Sequence, residues 1–115
     1  MILIVGGAYQ GKGAYARENF GEDYDVINSY QLRVKGQLKA GENPMEKAQR
    51  LVAEKKAEGV FDRLVIIIDE TGCGVVPLDA FERLYREQAG RVSCYLAKEA
   101  DSVIRVICGI GKKIK

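Results

Sequence analysis

The sequence predicts an α/β domain in which a mainly parallel sheet lies between layers of helix, and three observations carry that prediction. Four strand-like runs, Ile2–Val5, Asp25–Asn28, Leu64–Asp69 and Val103–Cys108, alternate with helical segments, which is the pattern of strands joined by crossover helices. Leu64-Val-Ile-Ile-Ile68 is apolar at every position, as expected of a strand covered on both faces, so it belongs at the middle of the sheet. The first strand runs directly into a glycine-rich loop and then a helix. With 115 residues, 47% of them hydrophobic, residues 1–115 form one domain with a core of its own.

The N-terminal element is the most specific. Gly6, Gly11 and Lys12 satisfy G-x-x-x-x-G-K, with the preceding strand and following helix that make this pattern a phosphate loop. The loop Gly6-Gly7-Ala8-Tyr9-Gln10-Gly11-Lys12-Gly13 is therefore the expected nucleotide-binding element, and the fold class is a P-loop NTPase-like (RecA-like) three-layer domain. Glycines let backbone N–H groups converge on an anion without a Cβ in the way. A helix starting near Lys12 adds unpaired first-turn N–H groups and the positive end of its dipole, and Lys12 adds a mobile full charge for the β and γ phosphates. Where the motif carries Ser or Thr to ligate Mg²⁺, this chain has Gly13.

The later elements follow from ordinary local chemistry. Ser29 to Glu42, with two glycines and no clear periodicity, reads as a mobile flap or short irregular helix at the ligand edge of the sheet. Asn43-Pro44-Met45-Glu46 supplies an N-cap, a proline at the first helical position and an early glutamate, and Gly59 is a plausible stop. Asp79 with Glu82 repeats the capping pattern after Pro77, and Phe81, Leu84, Tyr85, Ala89, Val92, Leu96 and Ala100 recur at helical spacing, predicting one buried face. Gly90, inside that helix, should kink it or admit a close backbone. At the end of the third strand Asp69-Glu70 precede the glycine-rich Thr71–Pro77. An acid there is placed to hold Mg²⁺ or orient a nucleophile, or to cap a turn or pair with a base.

Composition excludes several functions. The chain has no histidine, so it has no Ser-His-Asp or Cys-His unit, no histidine metal ligand and no histidine-linked intermediate. Basic residues number 18 and acidic 16, interspersed. Nothing but the tail Lys112-Lys113-Ile114-Lys115 resembles a nucleic-acid footprint, and a solvated terminus explains that tail equally well. No apolar run is long enough to span a membrane, and the five residues before the loop carry no basic lead or cleavage site, so a soluble protein that is not exported is expected. Cys73, Cys94 and Cys108 lack paired spacing and read as free thiols of a cytoplasmic protein.

Taken together, Ile2-Leu-Ile-Val-Gly-Gly7 with Gly11-Lys12 and Tyr15-Ala16, Asp69-Glu70-Thr-Gly-Cys-Gly-Val-Val-Pro77, Ala89-Gly90-Arg91-Val92 and Gly109-Ile-Gly-Lys-Lys-Ile-Lys115 resemble the adenosylcobinamide kinase/adenosylcobinamide-phosphate guanylyltransferase family of cobalamin assembly. The resemblance implies a phosphate-loop domain using ATP or GTP with Mg²⁺, a corrinoid-type alcohol as phosphoryl acceptor, and often a trimer. In these terms Lys12 stabilises the transferred group, and Asp69 or Glu70 orients Mg²⁺ or the acceptor hydroxyl. The family's guanylylated histidine has no counterpart here, and beside the family its middle third reads as deleted or replaced by Asp25 to Asp62. The remaining possibilities are a reduced nucleotide-dependent kinase, a nucleotide-binding module without catalysis, and an assembly protein that keeps only the fold.

Overall fold

The computed structural model describes residues 1–71 and 79–115; the segment Gly72–Pro77 of the glycine-rich stretch after Asp69 lies outside them. Among the described residues five strands form one sheet in the order β2-β3-β1-β4-β5: β1 is Ile2–Gly6, β2 Asp25–Ile27, β3 Leu64–Asp69, β4 Ser102–Ile107 and β5 Ile110–Lys113. The first four are parallel, and β5 returns antiparallel to β4. Helix α1 is Lys12–Asn19, α2 Tyr30–Lys39, α3 Pro44–Ala57 and α4 Ala80–Glu99. The result is the three-layer α/β architecture of the phosphate-loop class that the sequence predicts.

Strand alternation divides the core in two. Leu3, Leu64, Ile66, Ile68 and Val103 face α2, α3 and α4, where they meet Tyr30, Val34, Ala48, Val52, Tyr85, Ala89, Val92 and Leu96. Ile4, Val65, Ile67, Ile104 and Val106 face the other way, onto Ala16 of α1 and the partly buried Tyr15, Phe20 and Tyr24. All of Leu64 to Ile68 is buried, as a two-sided apolar strand requires. The predicted caps also form. Asn43 Oδ1 accepts from the N–H groups of Met45 and Glu46 at 3.0 and 3.2 Å, and Asp79 Oδ1 from those of Phe81 and Glu82 at 2.7 and 3.1 Å. Gly59, at φ 74°, ends α3 with the Val60 N–H donating to Lys55 O at 3.1 Å, a left-handed stop that glycine adopts without strain.

Four expectations need correction. Residues 30–39 are a regular ten-residue helix, because Tyr30 and Val34, one turn apart, are buried against the sheet and Leu38 packs beside them. The tail is not merely solvated: Lys112 and Lys113 belong to β5, and Lys115 Nζ donates to Ala97 O, Lys98 O and Ala100 O at 2.9, 3.0 and 2.7 Å. An ammonium there satisfies the carbonyls at the C-terminus of α4 and opposes the negative end of its dipole. Leu84 leaves the buried stripe and is exposed. Gly90 neither interrupts α4 nor admits a backbone, since a Cβ there meets no described atom within 4 Å. Gly90→Ala should accordingly stabilise the domain by about 1 kcal/mol in chemical denaturation, whereas destabilisation would mean that the space at this position is needed.

Candidate functional site

The loop is built at the C-terminal end of β1, where parallel strands of this class leave their ligand crevice. Gly6 ends β1 against Val106 of β4, and a Cβ at position 6 would come 2.5 Å from Val106 O, so the strand and loop require glycine there. Gly11, at φ 88°, precedes α1, and its Cβ would lie 3.2 Å from Gly109 Cα. The loop is tied to the turn between β4 and β5 by Gln10. Its backbone O accepts from the Gly109 N–H at 2.7 Å, and its Oε1 from the Cys108 N–H at 2.8 Å. The side chain of Gln10 is thus committed to holding the loop, and Tyr9, at φ 60°, projects fully into solvent. Of the eight loop residues proposed from the sequence, these two offer an anion only their backbone.

Lys12 is the first residue of α1 and only 6% exposed. Its Nζ donates to Gly7 O at 2.6 Å and lies 2.7 Å from Asp69 Oδ1. The register explains the meeting: β1 and β3 are direct neighbours with Gly6 opposite Asp69, and an absent side chain at 6 leaves room for the lysine stem, which would lie 3.4 Å from a Cβ there. Strand alternation turns Glu70 the opposite way. Its carboxylate takes a two-point contact from Arg105 of β4, Nε to Oε1 at 2.9 Å and Nη2 to Oε2 at 3.2 Å, while its N–H donates to Gly6 O at 2.8 Å. The two adjacent acids therefore separate, Asp69 to the lysine of the glycine loop and Glu70 to the opposite face, against Arg105 of β4.

Three contributors lie outside the motif. Buried Gln31 on α2 accepts from the Asp69 N–H through Oε1 at 3.0 Å, fixing the end of β3. Tyr85 on α4 has its phenol pushed above the usual range by burial, and further by the charges of Asp69 and Glu82; Lys35 lies over its ring at 5.2 Å. Beyond Gly13, a cavity of ≈ 320 Å³ opens between α1 and β2, lined among others by Arg17, Glu22 and Asn28. Glutamine in a charge-poor helix start gives no sequence signal, and Asn28 becomes a neighbour of Gly13 only through the fold.

A family model described as cobinamide kinase / cobinamide phosphate guanyltransferase matches residues 26–114. The chain belongs to this family. It is similar to the bifunctional adenosylcobalamin biosynthesis protein CobU of Salmonella typhimurium, 45% identical over 53 residues, and to the protein of the same description from Escherichia coli, 43% identical over 53 residues. Each of these matches spans 46% of this chain and 29% of the relative. Among the described residues no group of three or more His, Cys, Asp or Glu side chains gathers as a metal cluster, and no helix is long and apolar enough to cross a membrane. Cys94 and Cys108 are free, exposed thiols; Cys73 lies outside the described residues.

The ion pair makes an asymmetric prediction. Asp69→Asn leaves a buried ammonium without its countercharge and should cost on the order of 1–3 kcal/mol of stability, whereas Lys12→Met leaves a carboxylate that can turn to solvent and should cost less. Equal losses in urea unfolding would contradict the assignment of Lys12 as the more strongly desolvated partner.

Proposed function

We propose that this chain is a nucleotide-binding phosphate-loop domain of the cobinamide kinase type. It transfers the terminal phosphoryl group of ATP or GTP to a corrinoid-type alcohol and lacks histidine-dependent guanylyl transfer, since the chain has no histidine. The observation that carries this reading is the held position of Lys12, its ammonium poised between Gly7 O and Asp69 at the mouth of a glycine loop that leads into a helix. Incoming phosphates offer that ammonium a stronger partner than a carbonyl, and the loop and first-turn N–H groups position the same oxygens.

In the transfer, the acceptor oxygen forms a bond to the γ phosphorus as the bridging P–O bond breaks, and the nucleoside diphosphate leaves with that electron pair. Lys12 stabilises charge on the transferred group, and the loop amides keep it in line. The acceptor proton passes to Asp69 or to water. Mg²⁺ brought with the nucleotide would neutralise charge between the β and γ phosphates. Of the two carboxylates the sequence suggests for it, Asp69 faces the loop and Glu70 is engaged by Arg105, so Asp69 is the residue suited to hold it.

The competing reading, a nucleotide-binding or assembly protein that has lost transfer, is favoured by Gly13, where the motif's hydroxyl is missing. A homo-oligomer, trimeric as the resemblance implies, is also part of the proposal; Ile107, Ile110 and Ile114 leave an exposed apolar strip across β4 and β5 that suits a neighbouring copy. Transfer of labelled γ-phosphate to a cobinamide-type alcohol tests the kinase. Turnover should vanish in Lys12→Ala and be equal or higher in Gly13→Ser, whose Cβ has only ordinary contacts, 3.5 Å to Arg17 and 3.8 Å to Asn28. Unchanged turnover in Lys12→Ala would remove Lys12 from the mechanism, and nucleotide binding without transfer would establish the competing reading.

A further inference from the structure

The space over Gly13 is not left to solvent. Arg17 stands four residues along α1 and so on the same helix face, and long helical side chains lean back toward the N-terminus. Its Nη1 comes 3.5 Å from the position a Cβ at residue 13 would take, and Asn28 Nδ2 comes 3.8 Å from the same point. Among the described residues Arg17 makes no ion pair. Asn28, at the C-terminal end of β2, accepts from Ser29 Oγ through Oδ1 at 3.3 Å, which turns its amide N–H groups to the other side. The next residue, Ser29, holds a left-handed φ of 54°, a conformation uncommon for a non-glycine residue and concentrated at ligand sites.

These groups differ in kind from what they replace. A serine or threonine hydroxyl at this position presents an oxygen to a cation, whereas a guanidinium and a carboxamide N–H present donors, and donors meet phosphate oxygens directly. Among the described residues, Glu22 is the one carboxylate lining the same cavity. Lys12 is paired with Asp69, and Arg17 is a second cation, placed beside Gly13.

We propose that Arg17, assisted by the Asn28 carboxamide, closes the phosphate site over Gly13 and supplies there the positive charge that Mg²⁺ brings to a hydroxyl-bearing loop, so that nucleoside triphosphate binding depends little on Mg²⁺. With no side chain at residue 13, the guanidinium stands beside the place a hydroxyl-bearing residue would occupy. Arg17 is a positioning residue for the phosphates, and the inference rests on the nucleotide-binding reading above.

Calorimetric titration with ATP and GTP, in excess Mg²⁺ and in EDTA, tests it. Wild-type affinity should change less than about threefold between the two conditions, and Arg17→Gln should weaken binding in EDTA by about 10- to 100-fold, the range of a charge-assisted hydrogen bond. Asn28→Ala should weaken it less. Gly13→Ser should raise the Mg²⁺ dependence to about tenfold or more by restoring a metal-facing oxygen beside Arg17. Because Arg17 is exposed, its glutamine variant should unfold at the wild-type temperature, which separates lost binding from lost fold. Tight binding that requires Mg²⁺ and survives in Arg17→Gln would overturn the role of Arg17 while leaving the phosphate site standing. Absence of nucleotide binding by the wild type under both conditions would overturn the site itself, and this inference with it.

Discussion

An ammonium as buried as that of Lys12 has to be compensated where it lies, and in this domain the compensation comes from Asp69 on the neighbouring strand. Much of the structure around the site is subordinate to that meeting. It requires β1 and β3 to be adjacent and in register, with Gly6 opposite Asp69; a slip by one residue would turn Ile68 or Glu70 toward the lysine and move every apolar residue of β3 to the wrong face. It requires Gly6 to lack a side chain, and it requires Gln31 of α2 to hold the Asp69 N–H. On the proposed reading, the same pair presents a lysine that anionic phosphate can draw away, so that one contact would serve both the fold and the ligand.

The other support of the loop comes from the opposite side. Gln10 is bonded through both its backbone and its side chain to the turn between β4 and β5, and β5 is kept on the sheet by its pairing with β4 and by Lys115, which reaches the last carbonyls of α4. The C-terminal segment thus braces the phosphate loop. A loop held on both flanks before any ligand arrives loses less conformational entropy on binding than a floppy one would, which suits a domain of this size with little surface to spare for recognition.

How much of this can be read from the residues depends on whether the cause is local. The glycine turn from β1 into α1, the two-sided strand Leu64 to Ile68 and the caps at Asn43 and Asp79 are determined by neighbours in sequence, and the structure has each of them. Helix α2 is obscured because Gly36, Gly41 and its charged residues dilute a stripe as thin as Tyr30, Val34 and Leu38. Strand β5 is short, half lysine and antiparallel, so it lacks the continuous apolar run that marks a buried parallel strand. At the site, the motif identifies Lys12 and the strand end identifies Asp69. That Glu70 meets Arg105, that Gln10 braces the loop, and that Asn28 joins Arg17 over Gly13 are consequences of tertiary placement, to which spacing along the chain gives no access.

The central claim is that Lys12 is held in reserve for nucleotide phosphate. Thermal unfolding of the wild type and Lys12→Met across increasing ATP and GTP tests it most directly, because a ligand stabilises a fold only by binding it, by about 2.7 kcal/mol at a hundred times Kd. The account predicts a wild-type Tm that climbs with nucleotide concentration and a Lys12→Met Tm that does not move. A wild-type Tm indifferent to both nucleotides, or an equal climb in the two proteins, would contradict it.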